Sequence, residues 1–99
     1  MAHCPYDRLA DLHDVLDTIR GWPALKEPRP GVFYLGSVAF LHFHIQADRR
    51  WADIRDGEDW GSPVEVPLEL GARDKQRFLR TTERRLHATL GARRPRARR

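Results

Sequence analysis

The chain has 99 residues, 40% hydrophobic and 32% charged, a size and composition that fit one small globular domain and exclude a disordered segment or a second independent core. Its single cysteine, Cys4, excludes an internal disulfide framework and a cysteine-rich zinc site; it fits a reducing compartment, so the expected location is the cytoplasm. The formal charge of +4 traces to the C-terminal tail, where Arg93, Arg94, Arg96, Arg98 and Arg99 cluster, and the body before them is nearly neutral, which argues against a strongly basic domain.

The N-terminal residues MAHCPYDRLADL carry no basic flank leading into an apolar run, and no eighteen consecutive residues are apolar, so neither a secretory signal nor a spanning helix is expected. Asp7 to Arg20 reads as a first helix, with Asp7 as its cap and Leu9, Leu12, Leu16 and Ile19 recurring at spacings of three and four. Gly21 and Pro23 end it. Residues 21 to 31, with three prolines and two glycines, read as a rigid connection without regular structure.

Two apolar runs follow, VFYL and VAFLHFHIQ, separated by Gly36-Ser37, a pair that suits a two-residue type II′ hairpin turn. That turn sets Leu35 against Val38, Tyr34 against Ala39, Phe33 against Phe40 and Val32 against Leu41. A second hairpin is expected through a four-residue polar loop, Ala47 to Arg50, leading into WADIRD. Pairing Gln46 with Trp51 then puts Ile45 against Ala52, His44 against Asp53, Phe43 against Ile54 and His42 against Arg55. Apolar meets apolar throughout, which supports the phase, because a one-residue slip reverses every face.

Asp56 to Pro63 reads as an acidic turn-rich loop. Val64 to Leu68 follows as a short strand, held to an edge by Pro67. Ala72 to Leu90 reads as a closing helix with Phe78, Leu79, Thr82, Leu86 and Leu90 on its buried stripe and Gly91 as terminal cap. The expected fold class is α+β: a four-stranded antiparallel meander sheet flanked by an N-terminal and a C-terminal helix, in the order α-β-β-β-β-α. Residues 1–92 form the domain and residues 93–99 an arginine-rich tail. The expected core face holds Val32, Tyr34, Ala39, Leu41, Phe43, Ile45, Ala52 and Ile54.

The opposite face holds the candidate site. It carries His42, His44 and Asp53 together with Gln46, Trp51 and Arg55, while Phe33, Leu35, Val38 and Phe40 give it an apolar surround. Two imidazoles and one carboxylate are a ligand set for zinc or non-haem iron with positions left open, and such an ion supplies an activated water. Without metal, Asp53 could orient His44 as a general base. A plain reading is also open, in which imidazole and carboxylate pair across strands and only stabilise the sheet. The apolar surround suits a ligand pocket lined by Phe40, His42, His44, Trp51, Asp53 and Arg55, or a homodimer interface rimmed by Trp51 and Trp60.

A second surface lies on the closing helix, where Arg73, Arg77, Arg80 and Arg84 recur at spacings that place them along one side. With Arg93, Arg94 and the rest of the tail, that stripe could track a phosphate backbone. A solvated face neutralised by nearby acids, including the first helix's aspartates, is the alternative. The acidic loop Asp56, Glu58 and Asp59 lacks the ordered oxygen spacing of a calcium loop.

The order LHFH, polar loop, WADI resembles the HLH-loop-VDI segment of small bacterial proteins catalogued as luciferase-domain proteins. The resemblance covers residues 31 to 56 and a closing helix, and VAFLHFH stands here where that family's wording is REIGHLH. Its carry-over touches His42, His44 and Asp53 alone and implies neither light emission nor a substrate. The sequence therefore points first to a domain that binds a ligand or self-associates through the histidine face rather than to an enzyme. Second stands a metal-dependent hydrolase using His42, His44 and Asp53, and third an accessory nucleic-acid binder acting through the arginine tail.

Overall fold

The computed structural model describes residues 3–93. The class is α+β with an antiparallel sheet, as expected, but the sheet has six strands rather than four. The first helical segment is divided: a 3₁₀ helix, Tyr6–Leu12, leads into α1, His13–Arg20. Leu9 leaves helical dihedrals at φ −114°, ψ 15°, and no side chain caps either start, so Asp7 lies within the first turn instead of capping it. Three residues per 3₁₀ turn place Leu9 over Leu12, and both are buried with Val15, Leu16 and Ile19.

The connection expected to be irregular contains β1, Lys26–Arg29, paired with β2, Val32–Leu35. Pro28 is tolerated because β1 is an edge strand, and the Pro30-Gly31 turn takes Gly31 to φ +79°. β2 pairs with β3, Val38–Gln46, across Gly36, whose φ of +64° meets the demand of the expected turn. Leu35 faces Val38 and Tyr34 faces Ala39, as read from the sequence, but Phe33 then faces Leu41, leaving Phe40 as an extra, bulged residue. The bulge reverses the phase of β2. Phe33, Leu35 and Phe40 consequently belong to the core cluster, whereas Tyr34 and Ala39 are only half-buried and Val32, though buried, lies outside that cluster.

β3 pairs with β4, Arg49–Asp56, through a turn of two residues, not four. Gln46 faces Arg49, His44 faces Trp51 and His42 faces Asp53. The shift is two positions, an even number, so each side chain keeps its expected face. It also draws Arg50 out of the expected loop and into the strand, on the core side with Ala52 and Ile54.

The other edge of β4 is lined by β5, Asp59–Trp60, and β6, Val64–Glu65. A hydrogen bond from the Gly61 amide to the Ile54 carbonyl, 2.8 Å, continues the edge between them. Half of the expected acidic loop is thus a tight hairpin turning at Gly57, φ +83°. α2, Ala72–Arg93, closes the core, with Phe78 6.0 Å ring to ring from Phe43. Gly91 lies inside this helix and does not end it. Arg85 and Thr89 join the expected buried stripe. Thr82 and Thr89 can be buried because each hydroxyl donates to the carbonyl four residues back, at 2.8 Å. Among the described residues, no helix is long and apolar enough to cross a membrane.

Candidate metal centre

His42 and His44 alternate with Phe43 along β3, so both leave the sheet on the side away from the helices. Asp53 comes to the same side from β4, directly opposite His42. The sequence pairs Asp53 with His44; the cross-strand partner is His42, yet the carboxylate leans diagonally and its Oδ2 lies 2.8 Å from His44 Nε2. One ligand atom from each of the three residues falls within 4.8 Å of the others.

Aromatic rings wall this group. His44 lies edge-on to His42, centroids 4.6 Å apart, and stacks on Trp51 at 5.4 Å. His42 meets Trp60 edge-on at 4.9 Å. Arg55 lays its guanidinium over Trp60, 4.6 Å from the ring centre, and donates from Nε to the Ala39 carbonyl at 2.6 Å. Its charge is committed to holding Trp60 and the strand, not offered to the histidines.

His44 is only 3% exposed, and neither ring nitrogen has an aligned hydrogen-bond partner despite the close carboxylate. The Asp53 contact is short but off the line of an N–H donor. A buried imidazole in that condition costs on the order of 1–3 kcal/mol. His42 is half-buried, and burial first, then the neighbouring His44, pushes its pKa below the ordinary imidazole value, against the pull of Asp53. A neutral ring with a free lone pair is the form that binds a metal ion.

Donor separation is near that of a bound cation. Two atoms each about 2.1 Å from one tetrahedral zinc stand about 3.4 Å apart, so His44 Nε2 and Asp53 Oδ2, now 2.8 Å apart, would part slightly to admit the ion. The third donor, on half-buried His42, lies within 4.8 Å of both.

Beside the centre, on the same sheet face, runs a groove of about 540 Å³ lined by Gln46, Ala47, Arg49, Trp51, Pro63 and Glu65. Trp51 is shared, one side against His44 and the other toward the groove. Arg49 and Glu65 pair at 3.1 Å across it.

One of the expected lining groups is elsewhere. Phe40 is wholly buried in the core, and with Phe33 and Leu35 also buried there only half-buried Val38 remains of the expected apolar surround. The arginine stripe does exist on α2: Arg73, Arg77, Arg80 and Arg84 are exposed. Arg77 pairs with Asp74 at 2.8 Å, whereas Asp14, Asp11 and Asp17 of the first helical segment go to Lys75, Arg50 and Arg20. Arg93 is exposed on the last turn, and Arg94 with the tail lies outside the described residues.

The sequence reading missed His3. It forms a bridge with His44, and the amide of Cys4 donates to the Phe43 carbonyl at 3.0 Å, so the N-terminal segment extends the sheet beside β3. The polar-apolar alternation of His3 and buried Cys4 is the only local signal for it. No family model, curated protein or solved structure matches this chain.

Proposed function

We propose that the protein binds a divalent transition-metal ion, zinc or ferrous iron, at His42, His44 and Asp53, and takes a small ligand in the adjoining Trp51 groove. The observation that carries this reading is the buried His44 ring, both nitrogens without an aligned partner, against an off-line carboxylate at 2.8 Å. A sheet-stabilising pair would align donor with acceptor; three ligand atoms within 4.8 Å of one another, unaligned as hydrogen bonds, suit an ion. The resemblance to luciferase-domain proteins touches the same three side chains and adds no substrate.

Metal analysis of untagged protein tests the proposal. The expected result is one ion per chain, lost in His44→Ala and strongly reduced in His42→Ala; absence of stoichiometric binding after dialysis against zinc or ferrous iron would overturn it. Metal-assisted hydrolysis is the second reading, favoured by the partial exposure of His42 and Asp53, which leaves room for water on the ion. Turnover of an activated ester or phosphoester that follows metal content and vanishes in His44→Ala would support it.

A further inference from the structure

A fourth imidazole stands beside the three-residue cluster. The antiparallel bridge between His3 and His44 sets the two side chains on one side of the sheet, because directly paired residues share a face and begin about 5 Å apart. Cys4 next to it is 2% exposed in the core, and its amide is tied to the Phe43 carbonyl, so the strand cannot rotate to carry His3 away. His3 itself is exposed, leaving its ring free to swing.

We infer that His3 closes the metal centre as its fourth protein ligand, so that loading the ion clasps the N-terminal segment against the edge of β3. The inference rests on the metal reading and narrows it. A set of three imidazoles and one carboxylate around zinc is a filled tetrahedron, suited to holding the ion rather than activating water. Turning His3 inward costs only the freedom of an exposed side chain, since its backbone is already in place. Holding the ring also links metal occupancy to how firmly His3 and Cys4 stay paired with β3.

The test uses the full-length untagged chain, titrated with zinc against a chromophoric chelator and separately with cobalt(II), whose visible absorption distinguishes four-coordinate from higher-coordinate centres. In the parent, tight one-to-one binding and an intense four-coordinate cobalt spectrum are expected. In His3→Ala, zinc affinity should fall at least about tenfold, the loss produced even by removing an outer partner of a ligand, and the cobalt spectrum should weaken as water fills the vacated position. Hydrogen exchange at the Cys4 amide should slow on zinc addition in the parent and not in the variant. Equal affinity and equal spectra in parent and His3→Ala would overturn the clasp while leaving the three-ligand centre intact. No zinc binding by the parent would overturn both. His3→Cys, a variant that keeps a ligand at the position, should restore four-coordinate cobalt with a sulfur charge-transfer band; failure to restore it in a variant that still binds metal also counts against the clasp.

Discussion

Arg50 is the residue that departs furthest from its sequence appearance. Read as half of a polar loop, it is wholly buried, and all five of its N–H groups are used: Nε on the Val66 carbonyl, the terminal nitrogens on the Asp11 carboxylate and on the Arg8 and Pro67 carbonyls, at 2.8–3.0 Å. A buried charge is tolerated only with such pairing. Asp11→Ala leaves the guanidinium without its counter-charge and should cost about 3–5 kcal/mol, read from urea denaturation. The pH dependence has a definite sign. The hydrogen bonds from Arg50 hold the Asp11 carboxyl at about 2, below its ordinary 3.8. Its stabilisation is therefore complete above about pH 4 and disappears as pH falls toward 2, so Asp11→Asn should flatten the parent's acid limb in that window. Gly61 is similarly constrained: a Cβ there would collide with the Arg85 guanidinium and sit 3.0 Å from the Ile54 carbonyl. Gly61→Ala should destabilise by roughly 1–3 kcal/mol, measured as a lower urea midpoint.

At the scale of elements, the hairpin of β3 and β4 positions everything on the histidine face, and its turn is strained. Ala47 holds φ +54°, a left-handed conformation that costs a residue with a Cβ roughly 1–2 kcal/mol. Ala47→Gly should raise stability by about 0.5–1 kcal/mol without moving the histidines, visible as a higher urea midpoint with unchanged slope. The short turn was not legible because Ala-Asp carries no glycine or asparagine signal, and a four-residue loop accounts for the same polar stretch. The error left the faces intact only because it was an even number of positions. In β2 an odd shift did the reverse. The bulge at Phe40 exchanged inward and outward residues, and nothing in VFYLGSVAF marks it, since both alternating sets are apolar. β1 was hidden for a different reason: prolines argue against a central strand but are compatible with an edge.

Over the whole molecule, a ligand that binds only the folded chain stabilises it by mass action. Zinc at 100 times its dissociation constant adds about 2.7 kcal/mol, and a domain of this size gains roughly 4–8 °C in melting temperature per kcal/mol. Addition of zinc to chelator-treated protein should thus raise Tm by on the order of 10 °C, and His44→Ala should abolish the shift; a melting curve indifferent to zinc would sink the metal centre. Of the apolar residues that suggested a dimer, Phe33, Leu35 and Phe40 are buried and Val38 is half-buried, and the large hydrophobics exposed among the described residues are Trp60 and Leu68. Sedimentation should accordingly show no concentration-dependent growth in mass.

From sequence alone came the α+β class, the two helical stripes, the Gly36 turn and the common face of His42, His44 and Asp53, because side-chain periodicity is a local property that strand phase carries across a turn. Tertiary structure alone decided that Arg50 is a core residue, that Phe40 is bulged inward, that His44 is buried with unaligned nitrogens, and that His3 arrives beside it. Each of these depends on partners distant in the chain, Asp11 for Arg50 and the edge of β3 for His3. The free energy of such pairings exists only once both segments are in place.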